Sequence, residues 1–280
     1  MSARQSLRPW AMALGALMIA LFPRTAFAKP TASEILDKVR ATYANVGSYS
    51  DKGLVDTIYY DLKTGKKTNR EMKPFQTYFD RAKLLKYEYA VQTIDGTKDR
   101  YVIFSDFKKT SSYWELNEKT NSNQSLESAL WAAAGVSSGS SRLVPSLLLG
   151  LSGTCEVLNL DPTVLKGSEE VAGRSCYMLS GKKCGGEEIT LWVDSKLFLL
   201  RKIERIRVFD KDANKESNDL LAESLKDPEF TRAFGKNELE LLEKQAAISF
   251  AINEFRTKTV ISYNPRIGVK IDPKKVVFDP

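Results

Sequence analysis

From Tyr49 onward apolar and polar residues alternate, and this period of two restricts the fold more than any other feature of the sequence. Successive side chains of a strand point to opposite faces, so alternation marks a strand with one covered face. Phe75, Thr77 and Phe79 alternate with Gln76, Tyr78 and Asp80, and Leu85, Tyr87, Tyr89 and Val91 alternate with Lys86, Glu88 and Ala90. Residues 101–104 and the stretch 111–116 around Trp114 extend the pattern. Turn signals stand between them at Lys63-Thr64-Gly65-Lys66, Asp95-Gly96 and Phe107-Lys108. Five strands in meander order follow. Further strands are expected at 155–160, 165–171, 175–180, 188–194 and 197–208, with a long last strand from Ile248 to about Tyr263. The expected fold is mainly β with helices: one curled antiparallel sheet of about ten or eleven strands, an incomplete β-barrel closed by helices.

The helices are signalled differently. Thr31 and Glu34 form a capping-box pattern, and Ile35, Val39 and Tyr43 recur at spacing four beside Leu36 and Val46, which predicts a helix over 31–46 packed on the core. The segment SLESALWAAAG (125–135) is helical in pattern, and the Ser/Gly loop 137–141 follows it. LVPSLLLGL (143–151) has Pro145 in its first turn and leucines around nearly its whole circumference. A helix apolar all round must be covered on more than one side, as a core helix or a lid over an apolar cavity. A charged helical insert is expected at about 215–246, between two paired strands.

The N-terminus carries Arg4 and Arg8, a 13-residue apolar run from Trp10 to Phe22, and Ala26-Phe27-Ala28. These are the three parts of a secretory signal peptide, 1–28, cleaved after Ala28, and the run is shorter than the ~20 residues a membrane span needs. The expected location is the periplasm, with residues 29–280 forming a single domain. Removing Arg4, Arg8 and Arg24 lowers the net charge from +7 to +4, and the lysines are scattered, which speaks against a nucleic-acid partner.

The chain contains no histidine, so Ser-His-Asp and Cys-His nucleophile systems and most zinc sites are excluded. No GxSxG, P-loop or SxxK signature is present. Asp210, Asp212, Asn214 and Glu216 imitate a calcium loop, but Lys215 replaces its Gly and Leu221 its Glu. Neither a catalytic residue nor a metal site nor a cofactor is expected. Cys155, Cys176 and Cys184 allow at most one internal disulfide, and their pairing is open; a turn tight at Lys182-Lys183 would place Cys184 opposite Gly181, away from Cys176.

An export signal, the helix ASEILDKVRATYANVGSY, five strands, two apolar helices, LWVDSKLFLLRKIE and the closing TVISYNPRIGVKIDPKKVVFDP follow one another in an order that resembles the LolA-like superfamily of periplasmic lipoprotein carriers, over about 30–209 and 247–280. The resemblance implies an incomplete barrel whose concave side is closed by helices, and a non-enzymatic carrier that holds acyl chains in an apolar cavity. The implied partners are a lipid or acylated lipoprotein and a membrane-protein donor or acceptor, with the carrier a monomer. The alternative on the same fold is an envelope sensor or protein-interaction module, with the insert as docking surface. Cavity candidates are Phe75, Phe79, Leu85, Tyr87, Tyr89 and Val91 on the sheet, and Leu147 and Leu148 on the second apolar helix. The run Arg81-Ala82-Lys83-Leu84-Leu85-Lys86-Tyr87 resembles the carriers' segment in which an Arg on the second strand bonds lid-helix carbonyls, so the resemblance makes Arg81 the lid-latch candidate, although Ala82 stands where a Pro usually follows.

Overall fold

The computed structural model describes residues 29–92, 98–122, 124–151, 156–183, 186–209, 219, 222–226, 228, 239–240 and 254–280. The expected signal peptide, Asp95-Gly96, Cys155, Cys184, the calcium-like stretch 210–216, most of the insert and the start of the last strand (248–253) lie outside them. Thr31–Pro280 forms one compact unit; in the preceding unit only Lys29 and Pro30 are described, without regular structure.

The chain runs α1 (Ala32–Asn45), β1 (Ser48–Asp61), β2 (Lys67–Asp80), β3 (Leu84–Gln92), β4 (Lys98–Ser105), β5 (Thr110–Trp114), β6 (Lys119–Asn121), α2 (Leu126–Val136) and α3 (Leu143–Leu149). It continues with β7 (Val164–Val171), β8 (Arg174–Lys182), β9 (Glu188–Asp194), β10 (Leu200–Phe209), β11 (Phe255–Ser262), β12 (Arg266–Ile267) and a 3-10 turn at Pro273–Lys275. The described strands form one sheet in the order β6-β5-β4-β3-β2-β1-β11-β10-β9-β8-β7, with β12 also on β1. All pairs are antiparallel, and the two ends of the order are not paired to each other. This is the open, helix-covered sheet the sequence predicts. The expected strand at 155–160 is absent: Val157 and Leu158 lie in a turn, and both are buried in the core. Their side chains are wanted there for packing, so the apolar pattern reads like a strand without being one. The β8–β9 connection spans 183–187, closed by Lys183 N–H on Glu187 O at 2.9 Å, and is wider than a turn at Lys182-Lys183. Cys176, opposite Asp194, is a buried free thiol.

Local chemistry explains the main elements. Thr31 caps α1 reciprocally: Glu34 N–H donates to Thr31 Oγ1 at 3.2 Å, and Thr31 N–H donates to Glu34 Oε2 at 2.7 Å. Pro74 lies in β2 just outside the β2–β3 pairs, which begin at Phe75, so on that side of the strand its missing N–H breaks no ladder bond. In β10 an extra residue, Arg201, sits between the Leu200–Val193 and Lys202–Trp192 pairs, and this bulge turns its guanidinium into the protein.

One face of the sheet, with α1, α2 and α3 against it, holds the core. Strand registers stack its side chains in rows. Phe79 faces Leu85, Tyr87 stands between Thr77 and Ile103, and Tyr89 stands between Phe75 and Tyr101. Across the middle of the sheet Val55, Ile261, Ile203, Leu191 and Leu179 form a fully apolar row. Phe75 needs the empty side of Gly53: a Cβ there would overlap the Phe75 ring and lie 2.6 Å from the Ser262 carbonyl oxygen. Gly53→Ala is therefore expected to cost ~1–3 kcal/mol through overpacking, measured as a lower urea midpoint. Trimming the ring with Phe75→Leu in the same chain should make the added methyl less costly.

Candidate functional site

The candidate site is the helix-covered face of the sheet. Phe75, Phe79, Leu85, Tyr87 and Tyr89 are each 2 % exposed or less, and Leu147 and Leu148 of α3 join them in one core cluster. Val91 is half-buried at the far end of β3, opposite Asp99. The ring of Phe75 stacks with Tyr87 at 6.1 Å between centroids and meets Tyr263 edge-on at 5.6 Å. Together these side chains pack beneath the helices as part of the core.

The cover is tied down by polar bonds. The connection between α2 and α3 is a serine-rich turn whose buried hydroxyls satisfy one another. Ser137 Oγ donates to Ser141 Oγ (3.0 Å), Ser141 Oγ to the Leu130 carbonyl (3.0 Å), and Ser140 Oγ to the Ser137 carbonyl (2.9 Å). With its own proton used, Ser140 Oγ accepts from Tyr87 OH at 2.7 Å. Two cations complete the fastening. Lys73 Nζ donates to the Val136 carbonyl at 2.7 Å, and Arg205 Nη1 to the Ser138 carbonyl at 3.1 Å. Gly139, at φ +86°, lets the Arg205 guanidinium come this close: a Cβ on it would stand 2.7 Å from Nη1.

Arg81 lies in the turn just after β2. It donates from Nε to the Val46 carbonyl and from Nη2 to the Tyr43 carbonyl, both at 2.9 Å. These are the carbonyls at the C-terminal end of α1, which the helix itself cannot satisfy. The helix that Arg81 holds is thus α1, not the α2–α3 pair. Tyr43 also accepts the Leu200 N–H through its hydroxyl at 3.2 Å, so α1 is fixed to both halves of the sheet.

A polar pocket lies under α1. Asp51 is 2 % exposed; its Oδ1 accepts the Asn264 N–H at 2.7 Å, while Oδ2, Tyr49 OH and Tyr263 OH have no partner among the described residues. Burial pushes the Asp51 carboxyl up to about 7, only partly countered by the Asn264 N–H, the neighbouring Tyr49 hydroxyl, the Lys52 N–H and Arg201. Arg201 itself forms a buried ion pair with Asp194, through Nε at 3.1 Å and Nη2 at 2.8 Å to Oδ2.

Sequence reasoning missed the fastening residues Lys73 and Arg205. A signal was present for Arg205: in 202–209 it alternates with Glu204 and Ile206, and so shares the covered face with Ile203. Nothing in the sequence marked the partners, which are backbone carbonyls. Among the described residues, no group of three or more Cys, Asp or Glu side chains is placed to hold a metal ion, and no helix is long and apolar enough to cross a membrane.

No family model and no curated protein matches the chain. Among solved structures it is similar to a DUF1329 family protein from Desulfovibrio piger, at 12 % identity over 89 % of this chain and 100 % of that one, with a TM-score of 0.33. It is also similar to a LolA superfamily protein from Nitrosomonas europaea (11 % identity, 90 % of this chain and 99 % of that one, TM-score 0.31). LprF from Mycobacterium bovis is a third (11 % identity, 86 % and 94 %, TM-score 0.41).

Proposed function

We propose that the protein is a non-enzymatic periplasmic binding module, and more finely a carrier that holds an acyl chain between the sheet and the α2–α3 cover. The observation that carries this reading is the make-up of the cover. A broad apolar face is closed by two short helices whose connecting turn is fastened to the sheet by three side chains, Lys73, Tyr87 and Arg205. Each such bond contributes ~1 kcal/mol net, so lifting the turn costs on the order of a few kcal/mol. Burying a chain of about sixteen carbons at ~0.8 kcal/mol per methylene gains roughly 12 kcal/mol. The ligand's burial exceeds these three bonds, and the acyl chain would replace the apolar contacts that Leu130, Leu143, Leu147 and Leu148 make when the cover is down. Phe75, Phe79, Leu85, Tyr87, Tyr89, Val91, Leu147 and Leu148 are the proposed lining, and Arg81 the proposed latch on α1.

Titration of the exported, folded protein with a fluorescent fatty acid tests this. One chain should bind per protein. Tyr87→Phe keeps the apolar ring and removes one bond made only with the cover down, so it should bind roughly fivefold more tightly, the equivalent of ~1 kcal/mol. Tyr87→Asp should abolish uptake. A folded wild-type protein that takes up no acyl probe would reject the carrier and leave an interaction module on this fold.

A further inference from the structure

The covered face changes character along the strands. The apolar row Val55-Ile261-Ile203-Leu191-Leu179 is followed, two residues on, by Thr57, Thr259 and Arg205, and after another two by Tyr59, Thr257 and Arg207. This end opens beneath the α2–α3 turn into a cleft of about 400 Å³. Leu143 of α3 belongs both to the core cluster and to the cleft wall, so the apolar slot and the cleft adjoin.

Among the described residues that line this cleft, positive charge predominates. Arg142, Lys183, Arg205 and Arg207 all line it, and Glu187 is the one carboxylate among its lining residues. Glu187 is already engaged by Arg205, at 2.7 and 2.9 Å on Oε1, and lies 3.9 Å from Lys183 Nζ. Burial lowers the Lys183 ammonium pKa, and although Glu187 opposes this, Arg205, Arg142 and Arg207 push it the same way as burial. The Arg142 guanidinium carbon lies over the ring of Trp131, 3.0 Å from its centroid, and Trp131 is half exposed in the cleft wall. Thr57 and Thr259, joined at 3.1 Å between their hydroxyls, form a neutral polar floor.

We infer that this cleft seats the phosphate-bearing head of an anionic amphiphile whose chain lies in the adjoining slot. The inference rests on the acyl-slot reading above and adds the chemical class of the ligand. Among the described lining residues four cations stand around one carboxylate, Arg142 being opposed also by Glu127 and Glu156 outside the lining, and a phosphate or phosphodiester would relieve the repulsion that remains among them. The guanidinium forks of Arg142 and Arg207 offer it paired N–H donors, while Arg205 is held by Glu187 and the Ser138 carbonyl and contributes charge, and the threonine floor offers hydroxyls. A neutral lipid would leave the cations facing one another.

The test compares three probes on the folded protein: a fluorescent phosphatidylglycerol, a diacylglycerol with the same chains and label, and glycerol phosphate as competitor. Phosphatidylglycerol should bind about tenfold more tightly than diacylglycerol at low ionic strength, and the advantage should shrink at 0.5 M salt. The double variant Lys183→Gln/Arg207→Gln should bring phosphatidylglycerol down about tenfold, to the level of the neutral probe, with urea unfolding confirming that it is folded. Lys63→Gln/Lys66→Gln, at the remote β1–β2 turn, should keep the preference. Equal affinity for the charged and neutral lipids would overturn the inference and leave the slot standing. Glycerol phosphate competing as strongly as the lipid would assign the cleft to a free phosphate and overturn the lipid-head assignment. Failure of both lipids to bind would overturn the slot reading itself.

Discussion

Replacing Arg201 with Met is expected to lower the stability of the protein by ~3–5 kcal/mol, the largest effect of any single change considered. The pair it breaks is buried on both sides: the Arg201 and Asp194 side chains are 8 % and 3 % exposed. Burial alone would raise the Asp194 carboxyl. The Leu197 and Lys196 N–H groups and the Arg201 guanidinium more than offset this and hold it below the usual carboxylate range. Without Arg201 the carboxylate stays buried with its two backbone bonds and no counter-charge. Because the folded pKa of Asp194 is depressed, its contribution is present above the unfolded pKa near 4 and is lost as pH falls through the folded value. The deficit of Arg201→Met should therefore be full at pH 7 and narrow below about pH 4, read from urea unfolding at both. A deficit equal at both pH values would mean that packing of the arginine stem, not charge, sets its size.

Asp51 is expected to act in the opposite sense. Its folded pKa stands at about 7, well above the value near 4 of an unfolded chain, so between these values folding takes up a proton. Stability from this group is present below about pH 4 and declines as pH rises to about 7, with a limit of ~1.4 kcal/mol per pH unit and a total of roughly 2–4 kcal/mol. Asp51→Asn keeps an oxygen to accept the Asn264 N–H and removes the charge. The variant should match the wild type near pH 4 and exceed it by roughly 2–4 kcal/mol at pH 8. Parallel stability curves for the two proteins across this range would place the Asp51 pKa near its ordinary value. Tyr49 and Tyr263, whose hydroxyls adjoin Asp51 without partners, are neutral throughout, since burial pushes both well above 10.

The sheet was legible because its inner positions alternate with charged ones, as in Leu85-Lys86-Tyr87-Glu88-Tyr89. The first helix was legible from Thr31, Glu34 and the stripe Ile35, Val39 and Tyr43, all three of which are completely buried. Val157 and Leu158 misled because burial in a turn and burial in a strand leave the same short apolar signature. The short strand Lys119–Asn121 went unseen because all three of its residues are exposed and polar, so no alternation marks it. The fastening of the cover was hidden for another reason. Lys73 and Arg205 bond backbone carbonyls far away in the chain, and a carbonyl has no sequence signature. The Ser/Gly loop 137–141 read as a plain connection, whereas its serines are buried and close a hydrogen-bond chain that ends on Tyr87.

We propose that the apolar face beneath α2 and α3 takes up an acyl chain when the cover lifts. Native mass spectrometry of the folded protein after incubation with phosphatidylglycerol vesicles tests it most directly. A species one lipid heavier than the free protein is expected, in higher yield for Tyr87→Phe and absent for Tyr87→Asp. Free protein alone from the wild type and from Tyr87→Phe, both folded, would contradict it.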